Sequence, residues 1–163
     1  MRRALRSGSG GRRTGREDRG AAALEFGLIL PILVMLVFGV IAFGYMLSFR
    51  QGMSQAAAEG GRAAAGQISG TSSSVRIEAA RAAINDALDS YGVECNGDAL
   101  THSGGASGTC NIVIGACTTG PSGAQCARVT LDYPYSDNSL IPGLGVNALL
   151  PDNLVYTAEV RVS

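Results

Sequence analysis

One stretch constrains this chain more than any other: from Phe26 through Phe49 the residues FGLILPILVMLVFGVIAFGYMLSF carry no charge. As an α-helix these 24 residues reach about 36 Å, against roughly 30 Å of bilayer hydrocarbon, so the run can cross a membrane with some tilt. In lipid a single spanning segment must satisfy its backbone internally, which makes helix the assignment. Gly27, Pro31, Gly39 and Gly44 would weaken a soluble helix but are tolerated in a transmembrane one. Tyr45 and Phe49 stand near one end, where an interfacial aromatic belt is expected. The alternative is a cleaved secretory signal, whose apolar core is about 7–15 residues. This run is longer, although Ala56-Ala57-Ala58 offers an AxA-like site.

Charge gives the segment a direction. Seven arginines (Arg2, Arg3, Arg6, Arg12, Arg13, Arg16 and Arg19) precede Gly20 and are opposed only by Glu17 and Asp18. From Arg50 onward there are six arginines and ten acids, a balance of −4 in a chain of zero net charge. A basic arm beside an apolar span places that arm in the cytoplasm and the residues after the span outside. Binding of nucleic acid by the arm is not needed to explain it, and no nucleic-acid partner is expected. The twin Arg12-Arg13 is followed by Thr14 and Gly15, a poor twin-arginine export signal.

Between arm and span lies a specific arrangement: Gly20, then Ala21, Ala22 and Ala23, then Glu25 five residues after the glycine, then Phe26. Read alone, Glu25 is an acid at a helix start, where free N–H groups favour negative charge. The whole pattern resembles the cleavage site of type IV prepilins and pseudopilins. The phrase RGAAALEFGLILPILVMLVFGVIAFG, followed by the Ala-rich AAAEGGRAAAG, resembles the TadE-like family of tight-adherence pilus proteins. The residues carrying that resemblance are Arg19-Gly20, Glu25-Phe26, Pro31, Phe43-Gly44, and Ala57 through Ala65 with Glu59 and Arg62. The ending from Val129 to Val162 is also similar to the ending of TadE- and TadG-like proteins. The middle, from Gln67 to Ala127, resembles no named family.

The resemblance implies a processing site at Gly20, Ala21 and Glu25. A prepilin peptidase cuts after the glycine on the cytoplasmic face, and the helix stays as an anchor that can later enter a filament. It implies that Glu25 pairs with the new N-terminal ammonium of a neighbouring subunit, each charge partly compensating the other at the apolar edge. The implied partners are membrane lipid, prepilin peptidase, and other pilus or pseudopilin subunits.

The remaining residues describe a small domain. Gln51 to Gly66 is rich in alanine and can carry the helix on, while Gly52, Gly60 and Gly61 argue against stiffness. Glu59 and Arg62 are spaced to meet on one helix face. Gly70 to Ser74 reads as a break. Val75 to Tyr91 reads as an amphipathic helix, with Ile77, Ala80, Ile84, Leu88 and Tyr91 recurring at spacings of three and four, and Arg76, Glu78, Arg81, Asp86 and Asp89 mostly elsewhere. Its apolar face is expected on the C-terminal sheet, and Gly92 is a natural stop. Val93 to Gln125 is rich in Gly, Ser and Thr and poor in pattern. Within it, Cys110 to Cys117 reads as a short strand. Arg128 to Tyr135 and Leu154 to Val162 alternate as strands, joined by a long loop from Ser136 to Asn153 with Pro142, Gly143, Gly145 and Pro151.

Cys95, Cys110, Cys117 and Cys126 all lie beyond the span. They contain no CxxC, which disfavours zinc or thioredoxin-like chemistry, and an even count outside the cytoplasm favours two disulfides. Three pairings are possible, and the sequential one, Cys95–Cys110 with Cys117–Cys126, is the working expectation. His102 beside Ser103 is the one imaginable nucleophile–base pair, without a third partner. There is no phosphate-binding loop, no GxGxxG after a strand and no HExxH. Asp132, Asp137 and Asp152 lack calcium-loop spacing. No catalytic residue, metal, cofactor or small-molecule substrate is expected.

The expected fold is α+β: one N-terminal transmembrane helix, then a small exported domain of an amphipathic helix and a short antiparallel sheet with disulfides. The expected boundaries are a basic cytoplasmic leader over 1–20, a transmembrane helix over 21–49, an extracytoplasmic helical segment over 50–92 and a disulfide-containing β-rich region over 93–163. A surface protein with an exported binding domain, unrelated to pili, is the competing expectation.

Overall fold

A computed structural model describes residues 14–138, 140 and 151–162, with side chains from Gly20 onward. The arginine-rich arm before Thr14 and the 141–150 part of the long loop lie outside the described residues. The chain divides into two compact units, Met1–Gly39 and Val40–Ser163.

The described part of the first unit is helix. Helix α1 runs from Thr14 to Ala65 and continues into the second unit. Apolar side chains from Leu24 to Phe38 are exposed all round the helix, including Leu28, Ile32, Met35 and Phe38. A helix apolar on every side belongs in an apolar solvent. Pro31 is accommodated within it.

In the second unit the same helix changes character. Met46, Phe49, Met53, Ala56, Ala57 and Ala64 are buried, a stripe at spacings of three and four that faces a core. Glycines on that side let the domain come close. A β-carbon at Gly60 would meet the Ile84 side chain at 2.8 Å, and one at Gly61 would meet Val160 at 2.8 Å. Thus Gly52, Gly60 and Gly61 do not interrupt the helix; they are where other elements touch it.

Helix α2 spans Ser73–Leu88 and a 3-10 turn continues it over Asp89–Tyr91. Ala80, Ile84 and Leu88 are buried against the sheet, as the spacing predicts. Arg76 departs from the expected polar face and is only 4% exposed. Its guanidinium donates to the carbonyl of Ala64 (2.8 Å), in the last turn of α1 where carbonyls lack helical partners, and to that of Ile68 (3.2 Å) just beyond it.

The sheet has five strands in the order β1-β2-β3-β4-β5, all antiparallel: Val93–Asn96, Ala99–His102, Gly105–Ala116, Gln125–Tyr133 and Leu154–Val162. Two of these strands, and the first part of a third (105–109), fall where the sequence looked patternless, while the rest of that third strand is the one read from Cys110. Their signal lay in the turns. Gly97, and the pair Ser103 and Gly104, have positive φ and close two tight hairpins, the geometry that short two-residue loops require. His102 therefore ends strand β2 and is not a loop residue. Asn85 of α2 caps the β1 edge, its Oδ1 accepting the Cys95 N–H at 2.6 Å.

One face of the sheet is dry. Val129, Leu131 and Tyr133 of β4, with Cys110 and Leu154, join Met46, Phe49, Met53, Ala56 and Ala57 of α1 and Ile84 and Leu88 of α2 in the main core, and Ala64, Ala80, Ala127 and Val162 form a smaller second cluster. The other face is wet: Arg128, Thr130 and Asp132 alternate with the buried residues, and Val113 is 48% exposed.

Candidate membrane anchor and assembly site

Gly20, Ala21 and Glu25 lie within α1, and all three are exposed. Gly20, Ala23 and Gly27 share one side of the helix by their spacing and leave a shallow trough walled by Leu24 and Leu28. One helix in the described residues is long and apolar enough to cross a membrane, and it is α1. It fits a single-pass anchor.

The upper part of this helix is also structural. The AxA-like site at Ala56-Ala57-Ala58 lies in the packed stripe, where Ala56 is fully buried and Ala57 is 1% exposed. Cleavage there would remove Met46, Phe49 and Met53 from the core, which argues against a discarded signal segment.

Phe49 stands at the centre of an aromatic cluster and is fully buried. Its ring lies 5.2 Å from Tyr91, 5.0 Å from Tyr133 and 5.9 Å from Tyr135. It is a core residue and not a belt residue. Tyr45 contacts Tyr91 edge-on at 6.0 Å. The Tyr91 hydroxyl donates to the Ser48 carbonyl and also meets the Ser48 hydroxyl, both at 2.9 Å. Burial pushes the Tyr133 phenol up to about 12, and its hydroxyl donates to the Asn138 carbonyl at 2.9 Å. Burial also raises Tyr135. Sequence reasoning missed this cluster because Phe49, Tyr91 and the Tyr133–Tyr135 pair come from three different segments.

The cysteines form two bridges, Cys95–Cys110 and Cys117–Cys126. The first joins β1 to β3 inside the core, with both cysteines at most 1% exposed. The second closes the loop between β3 and β4. Beside it, Glu159 of β5 accepts the Thr118 N–H at 2.9 Å, the Thr118 hydroxyl at 2.6 Å, and Arg128 Nε and Nη2 at 2.9 and 2.8 Å. The Thr118 hydroxyl, then the Arg128 guanidinium, hold this carboxyl down at about 2. Cys117, Cys126 and Glu159 are close enough to suggest metal ligands. The bridge removes both thiolates, however, and Glu159 is already engaged by Thr118 and Arg128, so the trio reads as a clamp on the loop. Ser103 occupies a hairpin turn with φ 54°, so the His102-Ser103 neighbours are a strand end and a turn.

The fold and this region define a helix-anchored α+β protein. Residues 20–62 match the family model described as TadE-like protein, and the resemblance of that segment to the family is thereby shown. The match ends within α1 and does not extend to the sheet or to the ending from Val129 to Val162. No curated protein and no solved structure shows significant similarity to the chain.

Proposed function

We propose that the chain is a TadE-like, membrane-anchored pseudopilin or minor component of a tight-adherence pilus assembly or secretion system, and that its role is structural and not enzymatic. One observation carries the reading. The TadE-like match over 20–62 falls on a helix that is both the apolar span and a wall of the folded domain.

In this reading the basic arm is cytoplasmic, the sheet domain is extracytoplasmic, and a prepilin peptidase cuts between Gly20 and Ala21. The bond lies in helix in the intact chain, so it must unwind to enter a peptidase, and Gly20 lowers that cost by about 1 kcal/mol relative to alanine. Glu25 then pairs with the new ammonium of a neighbouring subunit. The small residues Gly20, Ala23 and Gly27 favour close packing with helices of other pilus subunits.

The test is the N-terminal sequence of the protein recovered from membranes of cells with an active prepilin peptidase. A start at Ala21 is expected, and Gly20→Ala leaves insertion intact but the band unshifted. An intact Met1 arm in such cells rules out processing and favours a surface protein unrelated to pili. A start near Glu59 means that the helix is a signal segment.

A further inference from the structure

We infer that the folded domain rests directly on the lipid bilayer, with the rim formed by Tyr45 and Tyr91 seated in the headgroup–hydrocarbon boundary and no linker between span and domain. The inference rests on the membrane-anchor reading and adds the partner surface of the domain itself, a neutral lipid interface.

Length carries the first half of the argument. Hydrocarbon takes about 20 helical residues, and the charge-free run supplies that number from Phe26 to Tyr45. The next residue, Met46, is already core at 2% exposure, and Phe49 is fully buried. The span thus ends where the domain begins. Were the hydrocarbon to extend to Phe49, Tyr91 would lie deeper still, because its ring packs on Phe49.

Surface chemistry carries the second half. On the domain's own part of α1, Val40, Ile41, Phe43 and Leu47 are 40–66% exposed and flank the tyrosines. These apolar side chains continue the lipid-facing surface up to the rim. Tyr45 and Tyr91 are half-buried, with apolar ring bodies suited to a boundary that is apolar on one side and wet on the other. The hydroxyl of Tyr91 and both polar groups of Ser48 satisfy one another, so these groups come to the lipid boundary already paired. The first charge after the apolar run is Arg50, just beyond the rim, where its Nε donates to the Tyr156 hydroxyl at 3.0 Å. Asp89, exposed two residues before Tyr91, offers no attraction to anionic headgroups. Neutral phosphatidylcholine is therefore the fitting probe.

The chain has no tryptophan, so single substitutions give unambiguous depth markers. Full-length Met35→Trp, Tyr45→Trp, Tyr91→Trp and Val113→Trp are reconstituted in phosphatidylcholine vesicles brominated either near the headgroup end or near the chain end of the acyl tails. Ser90→Trp, on the same turn and exposed, reads the rim should Tyr91→Trp fail to fold. The expected result is that Met35→Trp is quenched best by chain-end bromine. Tyr45→Trp and Tyr91→Trp should both be quenched best by headgroup-end bromine, to a similar fraction and with blue-shifted emission, while Val113→Trp keeps its emission. Quenching of Tyr45→Trp with Tyr91→Trp and Ser90→Trp behaving like Val113→Trp overturns the inference, since the domain then stands clear of the bilayer. Loss of quenching at Met35→Trp overturns the anchor itself, and the inference with it.

Discussion

The ring of Tyr91 lies so close over Gly52 that a β-carbon at position 52 would stand 2.6 Å from its Cε2. The ring cannot easily retreat, because its hydroxyl is held by Ser48 and it packs in a T-shaped contact with Phe49. Gly52→Val is therefore expected to destabilise the domain by roughly 1–3 kcal/mol through overpacking. Gly44→Ala, which meets nothing within 4 Å, is expected to leave it unchanged. Urea denaturation in detergent, followed by far-UV circular dichroism, compares the two midpoints.

Glu159 makes stability fall in acid. Its carboxyl titrates near 2 in the folded domain against an ordinary 4.5, so the unfolded chain takes up the proton first. The stabilisation is complete above the unfolded value and is lost as pH drops from about 5 toward 2. Glu159→Gln is expected to be less stable than the parent at neutral pH, with the difference shrinking as pH falls through that window. Denaturation midpoints measured between neutral pH and pH near 2 give the slope, and a difference that does not change with pH refutes the assignment.

At the alkaline end the sign reverses. Tyr133 is raised from 10.0 to about 12 by burial, so above pH 10 the unfolded chain loses its proton before the folded one does. Stability is expected to fall from pH 10 toward 12, and Tyr133→Phe is expected to flatten that limb. The absorbance of tyrosinate, recorded against unfolding, checks it.

The two disulfides are expected to differ. Each should contribute about 2–4 kcal/mol, with the longer loop contributing more. Cys95 and Cys110 are 15 apart in sequence and buried in the core, while Cys117 and Cys126 are 9 apart at the sheet end. Cys95→Ala with Cys110→Ala should cost more stability than Cys117→Ala with Cys126→Ala, read from non-reducing urea transitions. The second pair should instead raise proteolysis within the loop from Thr118 to Ala124.

Arg76 tests the buried join between helices. Arg76→Met keeps the apolar stem but removes the side-chain donor to the Ala64 carbonyl and leaves the Ile68 carbonyl only the Thr71 N–H, at an expected cost of roughly 1–3 kcal/mol. Arg76→Lys should recover part of this. Amide hydrogen exchange over the last turn of α1 locates the loss.

The particular elements show what kind of information was local. The apolar run, the α2 periodicity and the β4 and β5 alternation were legible because each rests on the spacing of neighbours in one segment. The β1–β2 and β2–β3 hairpins were locally encoded too, in Gly97 and in Ser103-Gly104, but short strands with small residues give a weak period beside a strong turn. Arg76 was misplaced for another reason. A charged residue reads as a solvent face unless its acceptors are known, and these belong to the end of a different helix.

The sequence by itself determined that the chain has a membrane-length apolar helix, a sharp segregation of charge and an α+β domain, since composition and period settle what each segment can bury. Only the tertiary structure decided where that helix stops being lipid-facing and becomes core. Met46 and Phe49 look like any other residues of the run until Tyr91, Tyr133 and Tyr135 arrive from distant segments to cover them. Burial is a property of what packs against a side chain, and that partner cannot be read from the side chain's own neighbours along the chain.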